Sequence, residues 1–466
     1  MNLLSHVLFY AALFFYSLTA FFFIRLFIWK RYSEHFYWKK RPFITRLDID
    51  YLARHHQKEL PFISLLVPAR DESLVIERTI SNLLQMDYPS DRYEIIIITD
   101  EREEIVFLQQ QKASPSTTAD ISRRLQIQGK TAGSNVKVLT VPVGFDGAYP
   151  GTILSMETPS TKGRALNYAL AYLDHRSVVL GFYDAESRPD HKTLLYVAHE
   201  YLQKSDQMPI LQGPLFQVRN YYRLGPVSRL GGLFKAVSHD WYLPVIFRSL
   251  PFVGGTHFYT PRSTIEQVKG FDLSALTEDL DFGIRAAREL GKKVEFLPLI
   301  STEQTPPRFR QYFHQRLRWA AGHLQVMKSL SKKDPMFWGL FFQGPFEWIL
   351  YQGAALTVIG MNLLFLFASV GWISPSLLKF PFSTETVFGF LNIPYFLFSY
   401  YCFRRYAFTY DRDNPLSQML PGMDIVKIVI SSLLVFLLPL PYTYAVCLNL
   451  FKRKPNVWVK TARTAE

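Results

Sequence analysis

Cysteine is almost missing from this chain: two residues in 466, Cys402 and Cys447, both within or beside apolar runs. A disulfide framework and a cysteine-built zinc site therefore find no support. Charge is missing from long stretches. Residues 3–28 carry only His6 and Arg25, and no basic residue precedes them. A cleaved secretory leader would need a basic start and a small-residue cleavage site, whereas Trp29, Lys30 and Arg31 follow here. At 1.5 Å per residue the run is long enough to cross about 30 Å of hydrocarbon, and it reads as an uncleaved anchor with its N-terminus outside. Acidic residues are also outnumbered, 39 against 52 basic, for a net charge of +13. The surplus sits at Lys30, Arg31, Lys39, Lys40 and Arg41, at Arg404 and Arg405, and at Lys452, Arg453 and Lys454, each group beside an apolar run. That placement is the positive-inside bias. It favours a membrane partner and argues against nucleic acid.

What is abundant is apolar: 48% hydrophobic and 16% aromatic residues, enough to bury a large core. Three more apolar runs lie at 346–373, 387–403 and 425–450, and a short aromatic one at 336–342 reads as an interfacial helix. Four complete spans would leave the basic tail outside, against the charge bias. Pro439 and Pro441 interrupt the last run, which is expected to be broken or re-entrant and to return the tail to the cytosol. The expected organisation is a transmembrane helix (1–29), a basic juxtamembrane linker (30–60), a soluble domain (61–305), interfacial amphipathic helices (306–343), a C-terminal transmembrane region (344–450) and a basic cytosolic tail (451–466).

The soluble part alternates. Residues 62–67 form an apolar run, 77–84 have helical spacing, and 93–99 (YEIIIIT) form a β-branched run bounded by Asp91 and Asp100. Strands at 136–143 and 177–183 and a helix at 163–173 follow. This pattern predicts an α/β fold with a mostly parallel sheet covered on both faces. Ligands on such sheets bind beyond the carboxyl ends of the strands, where Arg70, Asp71, Asp100 and Asp184 fall. Residues 109–135, polar and weakly periodic, are expected to be a surface insertion.

Asp184-Ala185-Glu186 closes an apolar strand with two carboxylates, the oxygen donors that a hard cation such as Mg²⁺ or Mn²⁺ takes; a solvated acidic turn has the same sequence. Thr277-Glu278-Asp279 precedes an amphipathic stretch, 280–287, and helix capping alone would account for it. Gln315, Arg318 and Trp319 lie on a basic aromatic helix, 308–323, suited either to a membrane surface or to phosphate binding.

Taken in order, Val67-Pro68-Ala69-Arg70-Asp71-Glu72, Thr99-Asp100-Glu101, Lys162-Gly163-Arg164-Ala165-Leu166-Asn167, Asp184-Ala185-Glu186, Gly254-Gly255-Thr256, Thr277-Glu278-Asp279 and Gln315 to Trp319 resemble the motifs of membrane-integrated glycosyltransferase family 2. That group includes cellulose, hyaluronan and mannan synthases and ceramide glucosyltransferases. The likeness covers residues 61–319. It implies a GT-A-type nucleotide-sugar-binding domain flanked by transmembrane helices, placed in a bacterial plasma membrane with the catalytic domain in the cytosol. Pro68, Arg70, Asp71, Glu72 and Asp100 would hold the nucleoside of a UDP- or GDP-sugar, and Lys162 and Arg164 would face its diphosphate. Asp184 and Glu186 would bind Mg²⁺ or Mn²⁺, with Asp184 also touching substrate. Asp279, with Glu278 beside it, would be the general base. Gln315, Arg318 and Trp319 would close the donor site and line the acceptor path. Residues Val457 to Thr461 are similar to a Thr-containing segment that closes over the nucleotide in some members. Glu186 stands where the family commonly has Asp, and Glu101-Arg102-Glu103-Glu104 where a second Asp is common. The resemblance implies one inverting transfer of a hexose to a lipid acceptor. The alternatives are a processive synthase of a β-linked polysaccharide and an inactive scaffold that retains the fold.

Overall fold

The computed structural model describes residues 3–109, 116–131, 135–247, 249–372, 384–407, 409, 421–451 and 463–464. The motif Val457 to Thr461 lies outside them. The chain divides into two units: His35–Phe216 with Leu243–Gln304 and Arg463–Glu466, and Met1–Glu34 with Gln217–Tyr242 and Thr305–Ala462. The division is not linear, because Gln217–Tyr242 interrupts the first unit.

The first unit is α/β. Its strands are β1 (Phe62–Pro68), β2 (Tyr93–Asp100), β3 (Val136–Val141), β4 (Ser177–Phe182), β5 (Arg188–Pro189), β6 (Ile210–Gln212), β7 (Leu215–Gln217), β8 (Phe258–Pro261), β9 (Val294–Phe296) and β10 (Ser301–Glu303). Seven form one sheet in the order β3-β2-β1-β4-β8-β6-β9, and β5-β10-β7 form a second, smaller sheet. In the large sheet the β1–β2, β1–β4, β2–β3 and β6–β9 pairs are parallel, and β8 runs antiparallel to both neighbours. The expectation of a mostly parallel sheet holds, and the antiparallel β8 makes it mixed.

Why β2 is an uninterrupted apolar run follows from what covers it, since all eight of its residues are buried. Successive side chains point to opposite faces. Leu65, Val67, Ile95 and Ile97 pack with Ile76, Ile80 and Leu83 of the helix Ile76–Leu83 and with Leu194 to Leu202 of Thr193–Lys204. Leu66, Ile96, Ile98, Leu180 and Phe182 face the helices Lys162–Leu170 and Glu278–Leu290 on the other side.

One expectation for this unit is corrected. Residues 109–135 contain the helix Thr118–Thr131, with Ala119, Ile121 and Ser122 buried. Thr117 Oγ1 accepts from Asp120 N at 3.1 Å while Asp120 Oδ2 accepts from Thr117 N at 3.0 Å. That reciprocal cap nucleates a helix whose weak periodicity concealed it.

The second unit is helical. The helix Leu3–Ser33 is continuous, and Arg25 Nη1 lies 2.5 Å from Glu347 Oε1 while its Nη2 donates to Tyr351 Oη at 2.7 Å. Asp240 Oδ2 similarly accepts from Arg405 Nη2 at 2.8 Å and from the Tyr406 hydroxyl at 2.7 Å. Among the described residues, one helix, Pro335–Ser369, is long and apolar enough to cross a membrane, and only 17% of its most apolar window is buried. The arms Ile425–Leu433 and Val435–Leu450 pass the same test together but are bent by 53°. The break lies ahead of the prolines. Pro439 and Pro441 occupy the start of the helix Leu440–Leu450, where the missing N–H costs nothing.

Gly181 in β4 is a point of close approach: a Cβ there would lie 2.5 Å from the Tyr259 ring and 2.8 Å from Leu65 Cδ2. Gly181→Ala is expected to destabilise the sheet by about 1–3 kcal/mol through overpacking, read as a lowered melting temperature of the solubilised protein.

Candidate active site

Parallel pairing fixes where the polar residues gather. β1 and β2 run in register from Ile63↔Tyr93 to Pro68↔Ile98, and Tyr183 N bonds Leu66 O at 3.0 Å just beyond the β1–β4 ladder. Arg70, Asp100 and Asp184 therefore follow three neighbouring strands at one edge.

Lys162 stands in the first of three polar groups there. Its Nζ donates to Asp184 Oδ1 and, at 2.6 Å, to Gly255 O. Burial lowers the pKa of this ammonium, but Asp184, Glu278 and Asp279 outweigh that and the net shift is upward. Glu278 and Asp279 begin the helix Glu278–Leu290, and Asp279 Oδ1 accepts from Leu280 N at 2.8 Å. Gly255 has φ +76, and a Cβ there would lie 2.3 Å from Asp279 Oδ2. The left-handed glycine thus lets the half-buried Asp279 carboxylate lie against the backbone carrying the Lys162 acceptor.

The second group surrounds Asp100. Its Oδ2 accepts from Ser160 Oγ at 2.5 Å, and its Oδ1 from Arg102 N at 3.0 Å, with Arg102 Nη1 at 3.3 Å. Arg164 is buried; its Nη1 lies 3.4 Å from Asp100 Oδ2, its Nε donates to Phe145 O at 2.9 Å, and its Nη2 to Pro142 O. Arg164 therefore ties Asp100 to the loop after β3. Nearby, Glu103 shapes the turn after β1: Oε2 accepts from Asp71 N at 2.8 Å, and Oε1 from Thr118 N at 2.7 Å and Thr118 Oγ1 at 2.8 Å. Thr118 Oγ1 lies 2.8 Å from Glu72 N. Asp71 adopts φ +53 and is exposed, with Arg70 Nε 3.6 Å from its carboxylate. Pro68 ends β1 below this turn.

In the third group Glu186, 1% exposed, has Oε1 at 2.7 Å from Arg463 Nη1 and Oε2 accepting from Gln304 N at 3.2 Å. Glu72 Oε2 lies 3.4 Å from Arg463 Nε. Asp184 supplies the hard-oxygen donor chemistry that Mg²⁺ or Mn²⁺ needs, whereas Glu186 is committed to Arg463. Among the described residues no group of three or more His, Cys, Asp or Glu is placed to hold a metal ion.

Gln315, Arg318 and Trp319 belong to the helical unit, on the helix Phe309–Ser329. Gln315 is buried and Arg318 and Trp319 are half-buried. Arg316 lies 4.0 Å and Lys235 4.7 Å from the centroid of the Trp319 ring. Arg316 Nη2 donates to Gln217 Oε1 at 3.0 Å.

Sequence reasoning noted Arg102 and Glu103 only within a departure from the family pattern, and gave no site role to them or to Ser160, Gln304 or Arg463. Only the alternating Glu101-Arg102-Glu103 charges after the strand could have flagged the first two.

The α/β unit, with its carboxylates gathered at one strand edge, lies in a chain that belongs to glycosyl transferase family group 2, whose model matches residues 181–446. It is a glycosyltransferase that takes its sugar from a nucleotide-sugar. It is 26% identical over 338 residues to the probable glycosyltransferase YdaM of Bacillus subtilis (strain 168), covering 69% of this chain and 71% of that one. It is 24% identical over 281 residues to the beta-monoglucosyldiacylglycerol synthase of Trichormus variabilis, covering 58% of this chain and about half, 52%, of that protein. Among solved structures it is similar to the mannosyltransferase PcManGT of Pyrobaculum calidifontis in complex with GDP-Man and Mn²⁺, with a TM-score of 0.49, 16% identity, and coverage of 84% of this chain and 96% of that one.

His257, next to Thr256 in the loop behind Asp184, is buried, with Nε2 donating to Leu299 O at 2.8 Å. Burial pushes its pKa from 6.5 down to about 4. The unfolded chain therefore binds the extra proton more readily, so stability is complete above pH 6.5 and is lost as pH falls towards 4, by roughly 3 kcal/mol at most. In His257→Asn, which tolerates the local φ of +52, the melting temperature is expected to fall less steeply between pH 6.5 and 4 than in the wild type.

Proposed function

We propose that the protein transfers one hexose from a UDP- or GDP-sugar to the hydroxyl of a membrane-associated lipid, with inversion at the anomeric carbon. The observation that carries the lipid acceptor is a cavity of about 1500 Å³ inside the helical unit. It exceeds the usual ~300–1,000 Å³ of small-molecule pockets. Its wall runs along the helix Glu347–Ser369 from Glu347 to Ser369, about 33 Å at 1.5 Å per residue and close to the thickness of a hydrocarbon core. The lining is mostly apolar, as at Phe22, Ala354, Val358 and Leu366, while Lys235, Arg316 and Trp319 supply polar and aromatic groups. Acyl chains suit such a wall. A growing glycan would need hydrogen-bonding partners along the same length.

Asp279 takes the proton from the acceptor oxygen as that oxygen attacks the anomeric carbon from the face opposite the leaving group. Glu278 and Lys162 hold the charge around it. Lys162 also lies beside Asp184, so its ammonium is available to the departing diphosphate, while Arg164 positions Asp100 for the nucleoside with Pro68, Arg70, Asp71 and Glu72. Bound Mg²⁺ or Mn²⁺ would offset charge building on the diphosphate, and Asp184 and Glu186 are the carboxylates that would hold it. The family relationship and the apolar helices support residence in a bacterial plasma membrane, with the α/β unit in the cytosol. Gln315, Arg318 and Trp319 are proposed to line the acceptor path.

Asp279→Asn is expected to lower kcat about 10²- to 10⁴-fold, the usual worth of a general base, with donor KM little changed. Equal transfer by the variant overturns the assignment. Incubation of the detergent-solubilised enzyme with labelled nucleotide sugars, a divalent cation and diacylglycerol-type lipids is expected to yield a singly glycosylated, organic-soluble product. A ladder or high polymer would favour the polysaccharide synthase, and neither donor hydrolysis nor transfer would favour the inactive scaffold.

A further inference from the structure

Arg463 occupies an unusual position for a cation. It belongs to the α/β unit, with its guanidinium 2.7 Å from Glu186 and 3.4 Å from Glu72, two carboxylates that follow different strands. Gln304 fastens the next residue: its Oε1 accepts from Thr464 N and Thr464 Oγ1, each at 2.9 Å, and its Nε2 donates to Thr464 O at 2.9 Å. The backbone N of the same Gln304 holds the other oxygen of Glu186 at 3.2 Å. Asp184 and Glu303 also act electrostatically on Arg463. The pocket therefore concentrates negative charge and already contains a positive group. A second cation approaching Glu186 meets that charge at a few ångströms, where repulsion outside bulk water is strong.

We propose that Arg463 is a tethered stand-in for the divalent cation, holding Glu186 and Glu72 in the resting site and leaving as the metal takes Glu186. The exchange couples metal entry to release of the segment around Arg463 and Thr464. It keeps Glu186 compensated in both states, since a buried acid whose partner has been removed is costly. The inference rests on the reading of Asp184 and Glu186 as metal-facing carboxylates and adds a competitor from this chain.

The test titrates Mn²⁺ into the full-length solubilised protein, with free Mn²⁺ followed by electron paramagnetic resonance. Arg463→Gln is expected to bind Mn²⁺, without nucleotide, at least about tenfold more tightly than the wild type, the low end of measured couplings between close charges. Arg463→Lys keeps the charge and is expected to match the wild type, which also controls for misfolding. In the wild type, Mn²⁺ with UDP is expected to speed tryptic cleavage after Arg463, seen by intact mass as loss of residues 464–466. Equal Mn²⁺ affinity in wild type and Arg463→Gln, or weaker binding by the variant, overturns the exchange while leaving the metal reading in place. Binding of Mn²⁺ by neither protein, even with UDP, overturns the metal reading and the exchange together.

Discussion

The site depends on the pairing of Lys162 with Asp184. A parallel sheet delivers its strand ends to one edge, and this chain places Asp184, Glu278 and Asp279 within electrostatic reach of one another there. Carboxylates that close, partly removed from water, repel and tend to protonate. The ammonium of Lys162 offsets them and is fixed by the Gly255 carbonyl, while the left-handed backbone of Gly255 admits Asp279 to the same spot. Replacing the lysine would remove the cation nearest to these acids, with the helix start at Glu278 still favouring their charge.

The same rule organises the rest of the edge. Asp100 is offset by Arg102 and Arg164, and Glu186 and Glu72 by Arg463. Each carboxylate group has a cation supplied from another segment of the chain. An edge of this kind suits the ligand of the proposed function, which carries both signs, because ligand charges can replace internal partners without leaving a bare buried ion. Glu103 and Thr118 do the quieter work of setting the turn that carries Arg70 and Asp71.

In the helical unit the constraint is different. Buried charges there need partners in an apolar setting, and three pairings supply them: Arg25 with Glu347 and Tyr351, Asp240 with Arg405 and Tyr406, and Arg316 with Gln217 and the Trp319 ring. These contacts tie together helices far apart in sequence. They leave between them the large apolar cavity on which the lipid reading rests.

The alternation of strands and helices, the parallel core and the continuous burial of β2 were legible in sequence, because burial on both faces leaves an unbroken β-branched run. So was the family, because the order and spacing of the motifs that carry Asp184 and Asp279 are local facts. The short strands β5 to β10 and the helix Thr118–Thr131 were not, since their stability comes from tertiary packing and a reciprocal cap rather than from periodicity. Nor could sequence show that Arg164 turns inward to hold Asp100, or that Arg463 reaches Glu186 across 277 positions of chain. Local pattern reports which face of an element is buried. Which charge meets which is decided only when the strand edge has been assembled, because an ion pair depends on distance in space and leaves no period in the chain.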